Sequence, residues 1–213
     1  LLYRKTPQKC GVFRATKPKE LLYYMHIPTE KSMGRWSMGF VTLISMITLG
    51  IDPGYERLGM AVIETKARAK KDELLHSTCI ITSKNNLFPE RLKSLALEVE
   101  KVLAKYKPDT LAIEELFFSG NQKTAMKVSE VRGMIIYLAL RAGCEITNLT
   151  PLQVKMSITG FGRASKTQII TMIKKLITVP SGKRHDDEYD AIAIALTGAA
   201  HQRQNFIHNQ TKH

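Results

Sequence analysis

Hydrophobic residues follow two periods along most of this chain, an alternating one typical of strands and a period of three to four typical of helices. Five short runs rich in Ile, Val, Leu and Thr predict strands over residues 47–51, 58–65, 73–82, 110–113 and 145–149. Amphipathic repeats predict helices over residues 89–106, 122–141, 151–158 and 166–177, and a last helix that begins near Asp186.

Short turns connect the first three predicted strands, which favours an antiparallel meander. The last two strands are each followed by a helix, an order typical of parallel pairing. We therefore predict an α/β fold with a mixed five-stranded sheet, three antiparallel strands and then parallel strands, flanked by helices.

Residues 1–45 differ from the part that follows, because they are Lys-rich, irregular in hydrophobic pattern and interrupted by Pro7, Pro18 and Pro28. We interpret them as an atypical basic N-terminal extension, an upstream translated or disordered segment, since Met46 is well placed as an initiator. A transit peptide is the alternative, although the segment is poor in Ser and Arg. Residues 46–203 would then form the folded domain, and residues 204–213 a polar C-terminal tail.

The formal net charge of +13 favours a polyanionic partner, either nucleic acid or an anionic membrane. Residues 1–45 hold 8 Lys and Arg against 2 Asp and Glu, a net +6, so the remainder still carries +7. Solubility alone would explain a charge of +7, so the charge supports a nucleic-acid function without establishing it.

Two further features narrow the class of protein. No apolar run approaches the roughly 20 residues that a membrane-spanning helix needs. The three cysteines have no metal-ligand spacing and are typical of free thiols in a reducing compartment. We therefore expect a cytoplasmic protein.

Four acidic residues lie where predicted strands end or a predicted helix begins. Asp52 and Glu114 each follow an apolar strand, whereas Asp187 and Asp190 lie three residues apart on one face of the last helix. Carboxylates grouped in this way suit Mg²⁺, which prefers hard oxygen ligands. Two such ions about 3.5–4 Å apart can activate water and neutralise charge during phosphodiester hydrolysis.

Each of these acids also has a structural interpretation. Asp187 could cap a helix, Glu114 could be solvated after its strand, and Asp52 could be a turn residue before Pro-Gly. Taken singly, the structural roles fit better, but the ordered set favours a metal-dependent nuclease.

Five motifs follow one another along the chain. They are Gly50-Ile51-Asp52-Pro53-Gly54 with Gly59, Ala112-Ile113-Glu114 with Phe117, Gln153-Val154-Lys155, Gly160-Phe161-Gly162-Arg163-Ala164-Ser165-Lys166, and Asp187-Glu188-Tyr189-Asp190-Ala191-Ile192-Ala193. In this order they resemble the RuvC family of Holliday junction resolvases, or crossover junction endodeoxyribonucleases, over residues 46 to about 201. The resemblance implies an RNase-H-like fold and a homodimer that nicks opposing strands of a four-way DNA junction symmetrically. The nicks would carry 5′-phosphate and 3′-hydroxyl ends and serve homologous recombination and DNA repair.

The resemblance also implies roles for individual residues. Asp52, Glu114, Asp187 and Asp190 match the metal-binding tetrad of the family, which would hold two Mg²⁺ ions, with Mn²⁺ as a substitute. Phe117 matches an aromatic residue that stacks on bases near the junction. Lys155 and Lys166 match basic residues that approach the scissile phosphate or the DNA backbone, and Lys166 is also a catalytic candidate. Arg163 is a further DNA-binding candidate. A branch-migration helicase complex as partner and association with the nucleoid are expected on the same ground.

Several alternatives stay open from sequence alone. Glu115 follows Glu114 and would replace it if the register were shifted by one, and Asp186 is a neighbouring candidate for the third ligand. An RNase-H-like nuclease acting on another substrate, such as an RNA–DNA hybrid, and a non-catalytic junction-binding module are the functional alternatives. An actin-like ATPase also begins with Asp-x-Gly after a strand, but it needs a second nucleotide-binding domain and a longer chain.

Overall fold

The computed structural model describes residues 45–66, 69, 71–116, 122–180, 182 and 184–210. Its strands are β1 (Ser45–Asp52), β2 (Arg57–Lys66), β3 (Glu73–Ile81), β4 (Thr110–Glu114) and β5 (Glu145–Leu149). Its helices are α1 (Phe88–Tyr106), α2 (Gln122–Arg141), α3 (Pro151–Thr159), α4 (Lys166–Leu176) and α5 (Asp186–Gln210). Every element predicted from the hydrophobic pattern is present, with ends that differ by at most two residues.

The five strands form one sheet in the order β3-β2-β1-β4-β5. β1 pairs antiparallel with β2, and β2 pairs antiparallel with β3. β1 pairs parallel with β4, and β4 pairs parallel with β5. The prediction of a mixed sheet with an antiparallel meander followed by parallel strands is therefore confirmed.

Hydrophobic cores cover both faces of the sheet. On one face, α1 and α2 pack over alternate strand residues, which include Leu49, Ile51, Leu111 and Ile113. On the other face, the middle of α5 is buried almost all round, between the sheet and the helices α3 and α4. Within the described part of the chain, no helix, α5 included, is long and apolar enough to cross a membrane.

Two capping boxes set the starts of α3 and α4. The backbone N–H of Gln153 donates to Thr150 Oγ1 at 3.2 Å, and the backbone N–H of Thr150 donates to Gln153 Oε1 at 2.8 Å. Ser165 and Gln168 repeat this exchange at 3.3 and 2.8 Å. The reciprocal bonds satisfy backbone donors that a helix start leaves free, and they fix Lys166 as the first residue of α4.

Glycines allow α5 to lie with its backbone directly on the sheet. A Cβ atom on Gly50 would clash with the backbone of Ala191 and Ala195. A Cβ atom on Gly59 would clash with the carbonyl oxygen of Asp187. Because Gly59 pairs with Asp52 across β1 and β2, the first turn of α5 is held beside the end of β1.

We expect Gly59→Ala to destabilise the protein by roughly 1–3 kcal/mol, because the added methyl group meets backbone that cannot move without displacing α5. Urea denaturation measures the loss. The matched control is Gly133→Ala, where a Cβ atom meets nothing within 4 Å in the described chain. The control should stabilise α2 by up to about 1 kcal/mol. Equal stability of the two variants would contradict the packing argument.

Candidate active site

The first two predicted acids lie on neighbouring parallel strands. Asp52 is the last residue of β1, and Glu114 is the last residue of β4. The residues before them, Ile51 and Ile113, are aligned in the pairing of these strands. Parallel strands end at the same edge of a sheet, so this register brings Asp52 and Glu114 side by side.

The alternation of β4 decides which of the two adjacent glutamates joins Asp52. Ile113 is buried under α1 and α2, whereas Ala112 packs on the α5 side. Glu114 shares the direction of Ala112, because side chains two residues apart lie on the same face. Glu115 is exposed, and its backbone N–H donates to the carbonyl oxygen of Leu149 at 2.8 Å. The α5 side therefore receives Glu114.

The first two turns of α5 supply the other two acids. The side chain of Asp187 is 24% exposed and its backbone carbonyl oxygen lies over Gly59, whereas the side chain of Asp186 is 70% exposed. Asp190 lies one turn farther along, on the same face as Asp187. Of the two neighbouring candidates for the third acid, Asp187 is the one that faces the sheet end.

Lys166 is in direct contact with two acids of α5. Its Nζ lies 2.9 Å from Asp190 Oδ2 and 3.5 Å from Asp186 Oδ2. Partial burial alone would lower the pKa of Lys166, but hydrogen bonding and attraction from Asp190 and Asp186 outweigh it and raise the pKa. The α4 start therefore presents a protonated amine to the carboxylates.

The acids share one electrostatic environment. The pKa of Asp52 is raised from 3.8 to about 7. Burial makes the largest contribution, followed by repulsion from Asp190, Glu114 and Asp187, while Lys166 acts in the opposite direction. Such mutual repulsion shows that negative charge accumulates at the end of β1.

Glu114 responds to the same surroundings. Burial raises its pKa most, repulsion from Asp190 adds to the shift, and the positive charge of Lys155 opposes it. Lys155 is half-buried on α3, so a second predicted basic residue lies on the Glu114 side of the cluster.

The donor set fits a divalent cation in its chemistry. Four carboxylates supply hard oxygen ligands, and a cation among them would relieve the repulsion that raises the pKa of Asp52 and Glu114. Among the residues that the structure describes, no three His, Cys, Asp or Glu side chains already stand close enough to ligate one ion together. Mg²⁺ in proteins usually keeps several waters and takes few direct carboxylates.

Of the predicted site residues that the structure describes, one is not brought into this cluster. Arg163 is exposed in the loop between α3 and α4. Phe117 lies outside the described residues, so its predicted stacking role stays a prediction.

Sequence reasoning missed three residues that contact the site. Arg57 Nη1 lies 3.7 Å from Asp187 Oδ2, and Cys79 Sγ lies 3.7 Å from the same oxygen. Arg132 Nε on α2 donates to the carbonyl oxygen of Glu114 at 3.1 Å. The signal for Arg57 is strand alternation, because it lies two residues before Gly59. Cys79 and Arg132 come from separate elements, and no motif marks them.

A buried arginine braces the turn after Asp52. Arg91 donates from Nε to Thr82 Oγ1 at 2.8 Å and from Nη2 to the carbonyl oxygen of Tyr55 at 3.2 Å. Its guanidinium also lies over the Tyr55 ring, 4.8 Å from the centroid. These contacts tie the turn that follows Asp52 to α1.

The chain is similar to proteins of one family over most of its folded part. Residues 48–198 match the family described as "Crossover junction endodeoxyribonuclease RuvC". The protein of that name from Brachyspira hyodysenteriae is 43% identical over 167 residues, which cover 78% of this chain and 100% of the relative. The one from Ruminiclostridium cellulolyticum is 39% identical over 165 residues, covering 77% and 98%.

Solved structures agree with the sequence relatives. The structure titled "T. thermophilus RuvC in complex with Holliday junction substrate" superposes with a TM-score of 0.70 at 34% identity, covering 75% of this chain and 96% of that one. The yeast mitochondrial Holliday junction resolvase is 16% identical with a TM-score of 0.54, over 70% of this chain and 76% of that one, and shares the fold alone. The predicted RNase-H-like fold is confirmed by these likenesses.

We expect Asp52→Asn to stabilise the metal-free protein by at least about 1 kcal/mol at pH 8. The raised pKa means that ionised Asp52 favours the unfolded chain, so wild-type stability falls as the pH rises from 3.8 to about 7. The advantage of the asparagine variant should therefore grow over this range and level off above it. Thermal melting in EDTA at several pH values measures this.

Two controls accompany this measurement. Exposed Glu115→Gln should show no comparable pH-dependent gain. Added Mg²⁺ should stabilise the wild type more than Asp52→Asn, because binding to the folded state adds stability. A constant difference between Asp52→Asn and wild type at all pH values would contradict the charge argument.

Proposed function

The chain belongs to the RuvC family of crossover junction endodeoxyribonucleases, and we propose that it resolves four-way DNA junctions through the carboxylate cluster at the end of β1. The observation that carries the proposal is the convergence of Asp52, Glu114, Asp187 and Asp190, with Lys166 in contact, from three separate parts of the chain. A family of metal-dependent nucleases needs this type of donor set. We therefore assign these four acids and Lys166 as the catalytic residues.

The four carboxylates would hold two Mg²⁺ ions, with Mn²⁺ as a substitute. Bound in this way, the ions supply an activated water and neutralise charge on the phosphate and the leaving oxygen. The repulsion that raises the pKa of Asp52 to about 7 supports a role for Asp52 at the centre of the set.

The lysines of the cluster supply fixed positive charge. Lys166 begins α4, where a cation is unfavourable to the helix dipole, so its position has to be compensated by the carboxylates or by a phosphate. Its Nζ lies 2.9 Å from Asp190 Oδ2, and in the proposed function it would orient the scissile phosphate. Lys155 on the Glu114 side would contact the DNA backbone next to it.

Two further residues would select the junction. Exposed Arg163 would bind the DNA backbone between α3 and α4, and Phe117 would stack on bases near the branch point, which is worth about 1–3 kcal/mol per base. The described part of the chain carries one such cluster, so symmetric nicking of two opposing strands would require a homodimer. The products would have 5′-phosphate and 3′-hydroxyl ends.

The proposed setting is homologous recombination and DNA repair. We propose that residues 46–203 form the catalytic domain, that the protein works in the cytoplasm at the nucleoid, and that a branch-migration helicase complex is its partner. The net charge of +13 supports a polyanionic substrate.

Two other functions remain as outcomes of the test. An RNase-H-like nuclease would cleave RNA–DNA hybrids, and a non-catalytic module would bind junctions without cutting them. The complete acidic set favours cleavage over binding alone, because four carboxylates repel phosphate and have no use in a passive DNA-binding surface.

We expect Mg²⁺-dependent cleavage of a labelled mobile four-way junction in preference to a matched linear duplex or an RNA–DNA hybrid. Glu114→Gln and Asp190→Asn should each lower the cleavage rate by roughly 100-fold or more, since a lost metal ligand costs several kcal/mol of transition-state stabilisation. Both variants should still bind the junction, because removing an acid lowers repulsion.

Exposed Glu115→Gln is the matched control and should cleave at close to the wild-type rate. Equal cleavage of linear duplex or hybrid would defeat the resolvase assignment. Undiminished cleavage by both Glu114→Gln and Asp190→Asn would defeat the assignment of the site.

A further inference from the structure

Arg57 occupies a position that no motif marks. It is the first residue of β2 and lies two residues before Gly59, on which the first turn of α5 rests. Side chains two residues apart on a strand lie on the same face, so Arg57 projects beside the start of α5. Its Nη1 lies 3.7 Å from Asp187 Oδ2. A guanidinium therefore stands at one of the assigned metal ligands.

A second cation of the same chain faces the next acid of α5. Lys166 Nζ lies 2.9 Å from Asp190 Oδ2 and also approaches Asp186. Both inward acids of the first helical turns thus face a side-chain cation. An ion that binds Asp187 or Asp190 has to compete with Arg57 or Lys166 for the same carboxylate oxygens.

The ion pair between Arg57 and Asp187 is weak enough for another cation to replace Arg57. The Arg57 side chain is 57% exposed and the two atoms are 3.7 Å apart, so the pair is a weak, solvent-screened one. Cys79 Sγ approaches the same Asp187 oxygen at 3.7 Å and would remain there after Arg57 left. The planar fork of an arginine matches phosphate oxygens, which suits Arg57 to bind a phosphate of DNA.

We propose that Arg57 is the counter-ion of Asp187 in the metal-free site, and that it transfers to a phosphate of the bound DNA strand when a divalent cation takes its place. This rests on the proposed function, and it makes Arg57 a DNA-binding residue at the rim of the site. A phosphate that engages Arg57 releases Asp187, and a cation that engages Asp187 releases Arg57. Because such coupling is reciprocal, metal and junction strengthen each other's binding.

The test measures metal binding without DNA and without cleavage. In the DNA-free protein, Arg57→Gln should raise Mg²⁺ affinity about two- to five-fold, the range expected for loss of an exposed ion pair. Isothermal titration calorimetry gives the affinity. The same variant should bind the junction more weakly, and the gain in junction affinity between EDTA and Ca²⁺ should shrink. A purely structural role would not raise metal affinity.

Matched variants distinguish the effect of the Arg57 charge from the effects of its guanidinium shape and of any loss of folding. Arg57→Lys keeps the charge, so it should keep wild-type Mg²⁺ affinity while it weakens junction binding through loss of the fork. Arg57→Met repeats the neutral change with another side chain, and thermal melting checks that each variant is folded. Arg141→Gln removes the same charge at the exposed C-terminal end of α2 and should change neither affinity.

Unchanged or lower Mg²⁺ affinity in Arg57→Gln and Arg57→Met would overturn the proposal. A full wild-type gain of junction affinity with Ca²⁺ in these variants would overturn it as well. Neither result depends on whether the wild type cleaves junctions, so a failure here is distinct from a failure of the proposed function.

Discussion

Close contact between the backbone of α5 and the sheet is the constraint on which the rest of the site depends. Gly50 and Gly59 leave no room for a side chain between β1, β2 and the helix. At the far end, a Cβ atom on Gly198 would lie 2.5 Å from Ala112 Cβ. These contacts fix the tilt and the height of α5 together. The carboxylates of Asp187 and Asp190 consequently stand at the ends of β1 and β4.

In this arrangement a destabilising cluster of negative charge lies beside the well-packed contact of α5 with the sheet. Burial and repulsion raise the pKa of Asp52 to about 7 and also raise that of Glu114, so ionising both acids opposes folding. The two cores on either side of the sheet provide the opposing free energy. Functional sites commonly lower the stability of a protein in this way. Here the destabilising charges lie at the strand ends, where the hydrophobic cores stop.

The sequence predicted the elements well because local physics determines them. The hydrophobic repeats of strands and helices, like the capping boxes of α3 and α4 and the turn at Pro53-Gly54, depend on residues close together in the chain. Short segments are therefore enough to predict the ten elements. The choice between Glu114 and Glu115 depends on which face of β4 receives α5, which only the assembled sheet decides. Cys79 and Arg132 reach the site from β3 and α2, and contacts of this kind leave no spacing to read. Phe117 lies outside the described residues, so its role rests on the motif.

The charge of the whole chain and the charge of the site have opposite signs, so they act differently on DNA. The net charge of +13 draws a polyanion to the protein at long range. At the end of β1, however, four carboxylates outnumber the three cations, Arg57, Lys155 and Lys166, that lower their pKa values or pair with them. A phosphate cannot approach this cluster closely until further positive charge is present. In the proposed function divalent cations would supply that charge, so a dependence of cleavage on metal would follow from the balance of the chain's own charges.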